Sequence, residues 1–423
     1  MNSFFLIANS FCLTLNLKPV ILKSTLKPVR DQLLLGGSMN TSLNEKTHAV
    51  NKVFEAVFDG KMPSRVPILT NIDNAFCLES AGYSLKKEQY SIEKTLEAID
   101  VTTRDFDGDT VLGITIRLPQ LYKILGAKNF KMGADGFLQH PEVRGMEVED
   151  YDAFIADPVK TLWQTILPRI YEELNRPGFE GQKVLAKAFF TFANSMAALG
   201  EGYQQIAKKY GRSTYTMASA ASAEPLDTLS DQLRSFSGIS KDIRRCPDKV
   251  ITACEALLPV CLKAGVNPAS SRYNRTFIPL HMAPYMREKD FLKFYWPTFK
   301  AYVEGLNAAG AGANLFVEED WSRYLDYLNE LPENTLMVFE YGDPKGIKAK
   351  VGRRHIVSGL YPIGLLKSGT EQACIDKAKE LIDIFAPDGG YIFGFDKAIL
   401  RLNDINPANL KAVFNFVHEY GIY

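Results

Sequence analysis

An α/β architecture on a parallel sheet, either a barrel or a large doubly wound sheet, is what this sequence predicts. Three observations predict it. Short apolar runs alternate with amphipathic helices through the second half, several runs end in polar or acidic residues, and no low-complexity linker divides the 423 residues. In order, residues 66–70 read as a first strand and 91–101 as a helix. Residues 110–180 are loop-rich, and the apolar run at 183–192 reads as a strand. Residues 276–281 form the next strand. The helix predicted over 290–308 spaces Phe291, Phe294, Tyr295, Phe299, Tyr302, Val303 and Leu306 along one face. Strands follow at 313–317, 335–339, 355–358 and 390–393. Helices lie between or after them at 322–331, stopped by Pro332, then at 344–352, 371–385 and 406–420.

Composition narrows the function classes. Lys+Arg and Asp+Glu are 49 each, with 46% hydrophobic and 23% charged residues. A balanced charge disfavours nucleic acid and anionic membrane surfaces as partners and points to small molecules or proteins. Six cysteines are scattered without a CxxC pair, as expected of reduced cytoplasmic thiols. The apolar stretch from Phe4 to Leu17 is too short to span a bilayer, and its positive charges (Lys18, Lys23, Lys27, Arg30) follow it rather than precede it. Residues 1–48 are therefore expected to be an extension, flexible or reflecting a true start near Met39. Residues 49–423 are expected to be one soluble domain, cytoplasmic and without a membrane span; a homodimer is left open.

In a parallel barrel, polar residues at the C-terminal strand ends point into the mouth. Glu318/Glu319, Glu340 and His355 belong to three consecutive predicted strands, separated by 20 and 14 residues. Three oxygen and nitrogen donors leaving a fourth position open would suit catalytic zinc, with Mn²⁺ and Fe²⁺ as alternatives. Equally, acids are common in such loops, and a lone histidine is often only hydrogen-bonded. His281 ends a predicted strand and either protonates a leaving group or is bonded within the core. Asp320 either orients a ligand or caps the following helix. Asn71 and Asp73 follow the first strand. Phe190, Phe192, Tyr361 and Phe393 are candidates to line an aromatic pocket, with plain core packing as the alternative. No GxGxxG, P-loop or GxSxG motif is present.

From about residue 50 onward the chain resembles the uroporphyrinogen decarboxylase-like superfamily. The resemblance rests on the 290–297 segment DFLKFYWP, on 358–370 SGLYPIGLLKSGT with Leu360 in place of the usual Asn, and on the closing segments 388–392 and 407–412. It implies a (β/α)8 TIM barrel. Uroporphyrinogen decarboxylases carry an arginine-rich substrate motif where this chain has Asn71-Ile-Asp-Asn-Ala-Phe-Cys77. Thiol-directed relatives carry an H-x-C zinc motif where this chain has Phe316-Val-Glu-Glu-Asp320. The resemblance that remains is to methyltransferases of anaerobic O-demethylase systems. It implies zinc held by Glu319, Glu340 and His355, with Glu318 as competitor for Glu319. Zinc would polarise the ether oxygen of a methoxylated aromatic, and the methyl group would pass to the Co(I) corrinoid of a partner protein. A metal-free decarboxylase-like lyase, and corrinoid methyl transfer from a methylamine or thiol, are the alternatives.

Overall fold

The computed structural model describes residues 37–69, 71–113, 118–215 and 218–423, with side chains of the first helix from residue 43. The expected extension lies outside the described residues up to residue 36. The first helix, Gly37–Phe58, runs across residue 48 without a break.

Five parallel strands form the continuous sheet: β3 (Ala220–Ala221), β4 (Thr276–Leu280), β5 (Ala313–Val317), β6 (Leu336–Phe339) and β7 (Ile356–Gly359), in that spatial order. β1 (Lys131–Met132) and β2 (Leu138–Gln139) make a separate antiparallel hairpin. β4, β5 and β6 are rich in β-branched, aromatic and aliphatic residues, and most of their side chains are buried, as expected of strands covered on both faces. Parallel bridges carry the ring onward. Val357 pairs with Tyr391, Tyr361 with Phe395, Ile68 with Phe393, Ile72 with Ile399, and Thr110 with Ser213. Between the first and second barrel positions a side chain serves as the link: Asp109 accepts the Ile68 N–H at 2.7 Å while paired with Arg65. The result is the eight-membered α/β barrel, with helices outside.

The register decides what meets at each end. Leu280 stands opposite Val317, Val317 opposite Phe339, and Phe339 opposite Gly359. The next residues, His281, Glu318, Glu340 and Leu360, therefore lie in one row at the C-terminal mouth. At the other end Thr276 faces Ala313, and Leu336 faces Ile356. Arg275, Gly312, Thr335 and His355 thus lie on the floor. Gly359 is required for this geometry: its φ is +87°, and a Cβ there would stand 2.2 Å from the Phe339 carbonyl oxygen.

One predicted element is replaced. Residues 183–192 are not a strand but part of the helix Glu180–Tyr210, which packs on the helices Ile92–Asp105 and Pro119–Leu125 outside the barrel. The apolar run is ambiguous over ten residues. Over thirty-one, the buried positions Gly181, Ala188, Ser195, Leu199, Gly202 and Ile206 recur at helical multiples. Gly202 permits the contact, since a Cβ there would meet Leu96 at 2.4 Å. The other predicted strands and helices of the second half are present to within a few residues, except that 390–393 pairs only by isolated bridges. No helix among the described residues is long and apolar enough to cross a membrane.

Candidate active site at the barrel mouth

The site begins with a sequence pattern after β3. Glu224, the N-cap of the helical segment 225–234, and Asp227 and Asp231 within it recur at spacings of three and four, so all three share a face. That face is turned inward. Glu224 caps the segment by accepting the Asp227 N–H at 2.9 Å and the Thr298 hydroxyl at 2.9 Å. Asp227, fully buried, accepts the backbone N–H groups of His281 (3.2 Å) and Met282 (2.8 Å) and the Tyr295 hydroxyl (2.7 Å). This carboxyl pins the exit of β4, so His281 leaves the strand in a fixed direction. Burial drives the acidity of Glu224 down strongly and pushes the Asp227 pKa up to about 7.

One turn further, Asp231 closes on His281 Nδ1 in a short contact, and His281 Nε2 lies 3.0 Å from Glu318 Oε1. An imidazole is thus held between two carboxylates, with its side chain 27% exposed toward the mouth. Burial alone would favour the neutral ring. The hydrogen bonds and charges of Asp231 and Glu318 outweigh it and push the pKa up to about 11, so the group is an imidazolium at neutral pH. Asp231 is correspondingly lowered: burial opposes this, and His281 outweighs burial.

Around this clamp stand further charges. Glu319 has a left-handed backbone (φ +61°), a strained conformation for a side chain with a Cβ, and its N–H donates to Glu340 Oε2 at 3.0 Å. Glu340 Oε1 accepts from Lys397 Nζ at 2.9 Å. Tyr285, 62% exposed, senses Glu319, Glu318 and Glu340: partial desolvation and then these charges raise its phenol. Phe236 meets the Tyr285 ring edge-on at 5.3 Å. The mouth is an acid-lined cup that holds the clamped imidazolium and the Lys397 ammonium, with an aromatic rim.

Other expected site residues fall elsewhere. His355 precedes β7 and so lies on the floor, five residues below the row of Glu340, or roughly 16 Å at about 3.3 Å per residue. Its ring is buried, with Nε2 3.4 Å from the Asn329 carbonyl, and burial pushes its pKa down to about 4. Glu319 and Glu340 are brought together, but His355 does not join them. Among the described residues no three His, Cys, Asp or Glu side chains converge to hold a metal ion. The expected zinc set of Glu319, Glu340 and His355 therefore does not fit this arrangement. Phe190 is 55% exposed and Phe192 half-buried on the outer helix, so neither lines the mouth. Tyr361 is fully buried and donates to the Cys374 carbonyl at 3.0 Å; with Phe393 and Phe395 it forms a core aromatic cluster. Asp320 accepts the Ser322 N–H at 2.8 Å, as a turn cap. Asp73 caps the helix Asn74–Ser80, and Asn71 bonds the Ile399 N–H through its backbone carbonyl.

Asp227, Asp231 and Lys397 were not anticipated. The signal for the first two was three acids at helical spacing among Leu226, Leu229 and Leu233, which places charge on a buried face. For Lys397 no local signal exists, since its partner lies 57 residues away.

Comparison with known proteins agrees with this geometry at the level of fold. A solved methyltransferase from Methanosarcina mazei superposes with a TM-score of 0.57 at 14% identity, covering 88% of this chain and 98% of that one. No curated protein matches significantly. Residues 195–420, more than half of the chain, match the family described as uroporphyrinogen decarboxylase (URO-D). They contain the Asp231–His281–Glu318 clamp and every strand from β3 to β7, and on that match the chain belongs to the URO-D family.

Proposed function

We propose that this chain is a methyltransferase whose mouth binds a methoxylated aromatic compound and in which His281 is the general acid. The observation that carries the reading is the imidazolium held between Asp231 and Glu318 at the C-terminal strand ends, where barrel enzymes do their chemistry. An aryl methyl ether leaves as a phenoxide with conjugate acid near pKa 10, so its departure needs a proton or equivalent charge. The substrate oxygen would take the place of Glu318 as acceptor at Nε2. As the O–CH3 bond breaks, its electron pair stays on oxygen, which takes the His281 proton, and the freed imidazole is reprotonated from water. The methyl group goes to a nucleophile that supplies its own electron pair, the Co(I) corrinoid of a partner protein approaching over the same mouth. Asp231 keeps the ring oriented while its charge changes.

Decarboxylation of a polycarboxylated tetrapyrrole is disfavoured by charge. Asp231, Glu318, Glu319 and Glu340 present the same sign as such a substrate. The similarity of shape to a methyltransferase supports the reading without specifying the substrate.

The test is methyl transfer from methoxybenzoates and methylamines to reduced cobalamin, followed by the cobalamin spectrum. Transfer from a methoxylated aromatic, reduced about 10²–10⁴-fold by His281→Gln, is expected. Absence of transfer from every methoxylated compound, or full activity in the variant, overturns the reading.

A further inference from the structure

The floor of the barrel holds a cation that no acid pairs with among the described residues. Arg275 precedes β4 and is 3% exposed. Its Nη1 donates to the carbonyls of Ala313 (3.1 Å) and Asn334 (2.7 Å), and the guanidinium lies 4.5 Å over the Phe58 ring. Nε is buried without a partner, and among the described residues Nη1 alone finds acceptors. A buried ion is ordinarily paired. Here, among the described residues, two carbonyl dipoles and a ring face answer the charge.

The space around it is shaped for something more. Arg275 lines a cavity of about 540 Å³ together with Phe58, Arg272, Asn307, Gly310 and Asn334. Gly312 clears the way: a Cβ there would stand 3.0 Å from Arg275 Cγ and 3.2 Å from Cζ. A second guanidinium, Arg272, stands at the same cavity, 2.7 Å from Asp59 and 61% exposed. The acid on the rim, Glu333, is already paired with Arg354 at 2.9 Å. Burial, with Arg272 adding to it, lowers the Arg275 pKa to about 9, so the charge persists at neutral pH.

We infer that this floor cavity is a binding site for a small oxyanion, a carboxylate or phosphoryl group, which takes the free donors of Arg275 and is flanked by Arg272. The site is separate from the mouth, at the opposite end of the same strands, and does not depend on the reaction carried out there. A guanidinium presents paired donors in a planar fork, which suits two oxygens of one anion.

The test is thermal unfolding of the whole chain titrated with sodium phosphate and, separately, sodium succinate, each against sodium chloride at equal ionic strength. A ligand that binds only the folded state raises Tm with its concentration, saturably in slope. A rise of roughly 2 °C or more over chloride is expected with at least one of the two anions, and the more effective anion names the class. Two exposed substitutions keep the test independent of whether Arg275 variants fold. Asn307→Glu places a resident carboxylate on the rim and should abolish the response, and Arg272→Gln should reduce it. No rise over chloride in the parent chain, or an undiminished rise in Asn307→Glu, overturns the assignment.

Discussion

The two ends of this barrel set the same side-chain types in opposite states. At the mouth, His281 stands between two carboxylates and carries a proton, with its pKa pushed up to about 11. On the floor, His355 is 2% exposed with Nδ1 lacking a partner, and burial holds its pKa down to about 4, so it is neutral. Acids are similarly divided. Glu318, Glu319, Glu340 and Asp231 gather at the mouth, while Arg275 on the floor is paired with no carboxylate among the described residues. Residue type therefore does not assign the role. The strand end does, because side chains after parallel strands converge over the mouth among several acids, whereas His355 and Arg275, which precede their strands, are buried at the opposite end with no such company among the described residues.

The largest expected effect separates the two histidines by activity. His281→Gln should cost two to four orders of magnitude in methyl transfer, whereas His355→Gln should leave kcat/KM within about twofold. Equal losses in both would erase the distinction between mouth and floor.

A smaller loss is expected from Asp231→Asn, about 10-fold or more in kcat with KM little changed, because the amide still bonds Nδ1 but no longer stabilises the charged ring. A matching loss in KM alone would make Asp231 a substrate contact instead.

Stability against pH offers a third comparison, read from urea unfolding between pH 4 and 10. His281 has a folded pKa above its free value of 6.5, so its contribution is complete below about pH 6.5 and is lost as pH rises toward 11. For His355 the folded pKa is the lower one. Its contribution is complete above about pH 6.5 and disappears as pH falls through 4, by on the order of 3 kcal/mol. His355→Gln should flatten the acid limb and His281→Gln the alkaline limb; an exchange of these effects would contradict the assigned environments.

The smallest effect sharpens the mouth alone. Glu319 is exposed with φ +61°, and Glu319→Gly should raise stability by about 1 kcal/mol in the same urea series by relieving that strain. Leu360 shares the conformation at φ +63°, where the family pattern has Asn. Asn tolerates the left-handed region better than Leu; the leucine, 7% exposed, recovers part of the cost by packing in the core.

The strands at 313–317 and 335–339 and the helix at 371–385 were legible because local period and burial agree there. The run at 183–192 was not, because helix and buried strand look alike over ten apolar residues. At the mouth, Glu319, Glu340 and His281 were legible as residues that follow apolar runs. His355 was misplaced for a matching reason: it precedes its run, and that one difference puts it at the opposite end of the barrel.

By itself, then, the sequence determined the alternation of strand and helix, the absence of a linker and the residues closing each strand, all of which depend on neighbours within a few positions. Only the tertiary structure decided that Asp231 meets His281 across 50 residues, that Lys397 reaches Glu340 across 57, and that Arg275 pairs with no acid among the described residues. Those outcomes depend on the register of parallel strands and the closure of the ring, which bring distant residues to one level and which no local pattern encodes.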